Sequence, residues 1–87
     1  MKTFNDLEFL TLPHHRDGVY ARIVFANGLG ASVIKSSDSY GGNDGLYELA
    51  VLDADGEITY DTDVTNDVIG YLTSEMITET MALIQSL

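Results

Sequence analysis

Residues 19–26 read as the clearest strand of the chain, and an Asn-Gly pair follows them at once. Val19, Ala21, Ile23 and Phe25 fall on one side of an extended chain; Tyr20, Arg22 and Val24 fall on the other. A period of two with β-branched and aromatic residues marks a half-buried strand. Asn27-Gly28 is the strongest short hairpin signal, since glycine and asparagine tolerate the left-handed backbone that such turns require. Leu29-Gly30 lengthens the turn slightly, and Ala31-Ser32-Val33-Ile34-Lys35 returns as the partner strand. A chain that opens this way is committed to an antiparallel sheet.

The same grammar extends in both directions. Leu7 to Leu12 is a short apolar run stopped by Pro13, which cannot donate to a ladder. Pro13-His14-His15-Arg16-Asp17-Gly18 reads as a loop. Leu46 to Leu52 is a third strand, with Tyr47, Leu49 and Val51 alternating against Leu46, Glu48, Ala50 and Leu52. Asp53-Ala54-Asp55-Gly56 fits a type I turn closed by a left-handed glycine. Ile58-Thr59-Tyr60 is expected to continue as the next strand. Residues 66–71 fit either a short helical turn or a last extended piece interrupted by Gly70.

The period then changes. Thr73 is placed to cap a helix beginning at Ser74, with Glu75 in the first turn facing the positive end of the helix dipole. Met76, Ile77, Thr80, Met81, Ile84 and Leu87 recur at spacings of three and four, and Thr78, Glu79, Gln85 and Ser86 suit the wet side. The expectation is an α+β fold: a four- to five-stranded antiparallel meander with one C-terminal helix on one face. Its 87 residues suit a single domain, 1–87, with 45% hydrophobic residues for a core.

Charge is divided unevenly. Lys2, Arg16, Arg22 and Lys35 are the only cations, and all lie in the first 35 residues beside Asp6, Glu8 and Asp17, for a net of +1. Residues 36–87 hold eleven carboxylates and no Lys or Arg, so the chain totals −10. Four cations cannot neutralise many phosphates, which argues against direct nucleic-acid binding. Charge of one sign steers partners of the other and repels anionic membranes. No cysteine is present, which removes disulfides and thiol chemistry and favours a reducing cytoplasm. The segment Met1 to Asp6 lacks the apolar run of a signal peptide, and no stretch reaches the ~20 apolar residues of a membrane span.

Asp53, Asp55, Glu57, Asp61, Asp63 and Asp67 are the densest carboxylate group. A calcium loop is one candidate. With Gly56 at the sixth position of an EF-hand, the first would be Val51 and the twelfth Thr62, and neither is a ligand of the required kind. A solvated hairpin is the plainest alternative. A third is a row of carboxylates that imitates phosphates, since same-face strand residues lie roughly 6.6 Å apart. Such a row suits the basic groove of a nucleic-acid-binding protein.

Other candidates are weighed the same way. His14-His15 suggests a metal pair or a pH switch, but adjacent strand residues face opposite ways, so an exposed loop is the plainer expectation. Gly28-Leu29-Gly30-Ala31-Ser32 lacks the helix and final glycine of a dinucleotide loop. Ser36 to Gly45 is long enough for a binding loop, with Tyr40, Asn43 and Asp44 as its functional groups, or is a plain connection. No nucleophile elbow is present, and nothing sets a histidine beside a serine and a carboxylate, so no enzyme, catalytic residue, metal or cofactor is expected. Tyr20, Arg22 and Val24 form a partly apolar patch opposite the expected helix face. Such a patch suits an interface with a protein partner or a homodimer.

Three stretches carry a resemblance: Asn27 to Ile34, Tyr40-Gly41-Gly42 followed by Gly45 to Leu52, and Asp67 to Thr73. On these, the segment from Gly18 to Leu87 resembles a group of small uncharacterised open reading frames of tailed bacteriophages and prophages. The group has no established activity, so the resemblance gives no residue a role. It implies a phage-derived protein in the bacterial cytoplasm. Small acidic phage proteins commonly inhibit host defence or host enzymes stoichiometrically, anti-CRISPR proteins among them. The functional expectation is a non-enzymatic binding module that docks its acidic half onto a basic surface of a host protein, without membrane or direct nucleic-acid contact. A homo-oligomeric assembly module is the first alternative, and a small-molecule or calcium-binding domain the second.

Overall fold

The computed structural model describes residues 1–13, 17–65 and 67–87. Five strands form one antiparallel sheet in chain order: β1 (Leu10–Thr11), β2 (Val19–Val24), β3 (Gly30–Lys35), β4 (Tyr47–Leu52) and β5 (Ile69–Leu72). Helix α1 (Ser74–Gln85) follows β5 and lies against one face. The α+β meander with its C-terminal helix is thus the fold.

Register decides which side chains meet the helix. Ala21 pairs with Val33 and Val33 with Leu49; Ile23 pairs with Ala31 and Ala31 with Val51. Paired residues share a face. Together with Phe25, Leu72 and the helix residues Ile77, Met81 and Ile84, these form the core, with Ile23 at its margin. Full burial of side chains this size contributes about 1.5–3 kcal/mol each, which is what holds a thin domain together.

Both long hairpins close in the same way. Phe25 N donates to Leu29 O (2.7 Å) and Gly28 N to Phe25 O (3.0 Å); Asp53 N donates to Glu57 O (2.8 Å) and Gly56 N to Asp53 O (3.0 Å). Each is a three-residue loop ending on a left-handed glycine, Gly28 at φ +90 and Gly56 at φ +79.

The strand expectations hold with two corrections. Ile58-Thr59-Tyr60 is not a full strand: Ile58 makes a lone bridge to Leu52, and Thr59 N donates to Val51 O (2.9 Å). Ladder pairing ends there because the chain leaves β4 for the long connection. The fifth strand is Ile69–Leu72, so residues 66–71 contain its start rather than a helical turn; Asn66 itself lies outside the described residues. Within Leu7–Leu12 the strand is Leu10–Thr11, extended by Leu12 N donating to Gly18 O (2.9 Å), while Leu7 turns inward to the core.

Helix α1 starts as expected, with Thr73 Oγ1 accepting from Met76 N (3.2 Å). Its buried side is narrower than expected: Ile77, Thr80, Met81 and Ile84 are buried, whereas Met76 and Leu87 are exposed. Thr80 satisfies its hydroxyl on Met76 O (2.9 Å). The N-terminal arm lies along the helix. Lys2 N donates to Gln85 Oε1 and Gln85 Nε2 to Lys2 O (both 2.8 Å), and Phe4 N donates to Thr78 Oγ1 (3.0 Å). Phe4, Phe9 and Tyr47 then close one end of the core, with Lys35 Nζ 5.0 Å from the Tyr47 ring centroid.

Candidate functional site

The acidic residues lie on the connection from β4 to β5, and its construction separates two kinds of carboxylate. Asp53 belongs to the turn. Its Oδ1 accepts from Asp55 N (2.9 Å) and Glu57 N (3.1 Å), the local bonding that makes aspartate a turn former. Asp67 uses one oxygen on its neighbour Val68 N (2.7 Å). Asp55, Glu57, Asp61 and Asp63 are exposed, and among the described residues their carboxylates engage no cation and accept no hydrogen bond.

Threonines hold the backbone between them. Thr59 Oγ1 accepts from Asp61 N (3.3 Å). Thr62 Oγ1 donates to Thr65 O (3.2 Å) and accepts from Thr65 N (3.4 Å). Thr65 Oγ1 donates to Asp67 O (2.7 Å) and accepts from Asp67 N (3.1 Å). Val64 packs against the core and pins the middle of the segment. The hydroxyls answer main-chain groups that a stretch without ladder pairing would leave to water, and the side chains of Asp61 and Asp63 are exposed. The interleaving of Thr59, Thr62 and Thr65 with the aspartates is the sequence signal for this arrangement, and composition counts alone pass over it.

Tyr20, Arg22 and Val24 lie on the face away from the helix, in register with Ile34, Ser32 and Gly30 of β3. Val24 is 72% exposed, and Leu10, paired with Tyr20, is also exposed. Arg22 Nη1 donates to Gly56 O (3.4 Å), so the acidic turn leans toward this face. The patch and the carboxylates, separate candidates in the sequence, are neighbours.

The Ser36–Gly45 loop is a structural unit. Ser39 Oγ accepts from Ser36 N (2.9 Å) and donates to Ser36 O (3.0 Å). Residues Gly42–Asp44 form a 3-10 turn, and Tyr40 N donates to Glu48 Oε1 (3.1 Å). The loop docks on β5, with Tyr71 N donating to Tyr40 O (3.2 Å). Gly70 is needed there because a Cβ at that position would collide with the Tyr40 Cβ. The side chains of Tyr40, Asn43 and Asp44 remain exposed, but they belong to a loop that is packed from within.

Sequence reasoning missed Tyr71. It sits at a bulge, where Tyr47 pairs with Leu72 and Leu49 with Ile69, and takes a left-handed backbone at φ +58. Among the described residues no group of three or more His, Asp or Glu side chains is placed to hold a metal ion, no pocket is found, and no helix is long and apolar enough to cross a membrane. His14 and His15 lie outside the described residues. No family model, curated protein or solved structure matches the chain.

Proposed function

We propose that this chain is a non-enzymatic protein-binding module that docks its acidic β4–β5 connection onto a basic surface of a partner protein. The carrying observation is the set of four exposed carboxylates, Asp55, Glu57, Asp61 and Asp63, on a backbone held by Asp53 in the turn and by threonines beyond it, which engage no cation among the described residues. Charges held this way need little reordering on binding, which reduces the entropic cost of association. Opposite charge on the partner accelerates encounter and fixes orientation. The resemblance to phage reading frames favours a bacterial host protein as the partner, such as a defence component or nucleic-acid-binding protein whose groove accepts a row of anions.

The test is capture from a bacterial lysate at low and high salt, using the natural chain and an Asp55→Asn, Asp61→Asn, Asp63→Asn variant, with bound proteins identified by mass spectrometry. The proposal expects a basic protein that the natural chain retains at low salt and releases at high salt, and that the variant fails to retain. Capture insensitive to both salt and substitution would remove the acidic surface from the mechanism.

A further inference from the structure

The sheet leaves part of the β2 edge uncovered. Phe25 N bonds to Leu29 O, and inward-facing pairs recur every second residue of an antiparallel ladder. Ala21 and Ile23 therefore bond toward β3, while Arg22 and Val24 turn their N–H and C=O groups the other way. On that side β1 reaches only Val19 and Tyr20. Among the described residues no main-chain bond meets the outer groups of Arg22 and Val24. At the opposite side of the sheet Tyr40 O receives Tyr71 N, and Ile58 and Thr59 flank the end of β4.

Edge strands are commonly protected by a charged side chain that projects over the edge. Arg22 is the residue placed to do this, but its guanidinium is drawn to Gly56 O, over the sheet and toward the acidic turn. The edge is left with two donors, two acceptors and the exposed Val24 side chain.

We infer that the outer edge of β2 at Arg22–Val24 receives an extended segment of a basic partner, added as an antiparallel or parallel sixth strand. Main-chain pairing supplies the contact, as in β-strand addition generally. Lysine or arginine side chains on the open face of the added strand then share the face over which the turn carrying Asp55 and Glu57 leans. A second copy of this chain is a poorer occupant, because each copy carries −10 and like charge opposes close approach. The inference rests on the acidic-surface proposal for the sign of the partner's charge and goes beyond it in naming the partner's conformation.

The test uses a capped peptide of alternating lysine and valine, and the same peptide N-methylated on every residue, which keeps the charge and removes the donors of both edges. Amide exchange and affinity are read by NMR on the full chain, beside a Val24→Pro variant that loses only an outward N–H. The expected result is protection of the Arg22 and Val24 amides by the unmodified peptide, with a loss of about tenfold or more in affinity for the methylated peptide and for Val24→Pro. Equal binding of both peptides, protection confined to residues 53–67, or no binding overturns the inference; the first two leave docking by charge alone in place. Concentration-dependent dimerisation abolished by Val24→Pro overturns it in favour of a second copy. Loss with Val24→Pro alongside salt-insensitive binding retains the edge and removes the acidic surface. The methylated peptide decides the matter if Val24→Pro fails to fold.

Discussion

Arg22 Nη1 donates to the carbonyl of Gly56 at 3.4 Å, which joins the open face of β2 to the tip of the acidic turn. The residues are 34 positions apart, and the contact crosses from one hairpin to the other. An exposed hydrogen bond of this length contributes little to stability. Its consequence is positional, because it sets the cation-bearing strand and the free carboxylates side by side. Arg22→Ala is therefore expected to change Tm by no more than a few degrees, as surface substitutions do. A large loss of Tm by calorimetry would show that the turn depends on this residue for its fold.

Asp53 and Asp61 have opposite roles. Asp53→Ala removes an acceptor that serves two N–H groups and is expected to cost about 1 kcal/mol. Asp61→Ala removes an exposed carboxylate that, among the described residues, accepts no hydrogen bond and meets no cation, and is expected to fall within about 0.5 kcal/mol of the natural chain. Urea denaturation of the two variants checks this; equal effects would contradict the division of the cluster.

Asn27 secures the first hairpin to the end of the helix. Its Nδ2 donates to Ile84 O (2.9 Å) and Leu87 O (3.4 Å), while its Oδ1 accepts from Leu29 N (3.1 Å). The last helical turn has no basic residue to meet its carbonyls, so this amide is one of the groups that does. Asn27→Asp keeps the turn chemistry and sets a negative charge against those carbonyls. A loss of about 1–2 kcal/mol is expected by thermal denaturation, and a neutral result would show that the amide contributes nothing.

Tyr71 holds a left-handed backbone that glycine adopts freely, and the residue is 58% exposed. Tyr71→Gly relieves that strain with little lost packing and is expected to raise Tm by a few degrees. A lower Tm would mean that the ring's contacts outweigh the strain.

Where alternation and turn chemistry acted together, the sequence was legible. Val19–Ala26 with Asn27-Gly28, Leu46–Leu52 with Asp53–Gly56, and the Thr73-capped helix appear within a few residues of their expected places. Ile58–Tyr60 failed because apolar alternation over three residues does not say whether a partner edge is free. The β5 edge of β4 is shared with Ile69–Leu72, and the bulge at Tyr71 is invisible to a period of two. In the acidic segment, a count of carboxylates could not separate Asp53, which builds the turn, from Asp61, which faces solvent. Nor could local sequence bring Arg22 to Gly56, or Tyr40 to Gly70, since both meetings depend on how hairpins fold over one another.

On the proposed reading, the carboxylates of Asp55, Glu57, Asp61 and Asp63, which engage no cation among the described residues, bind a basic partner protein. The most direct measurement is the affinity of the captured partner as a function of salt, for the natural chain and for the Asp55→Asn, Asp61→Asn, Asp63→Asn variant. The account predicts affinity that falls steeply with salt for the natural chain, and weak, nearly salt-independent binding for the variant. Equal affinity and equal salt dependence in the two would contradict it.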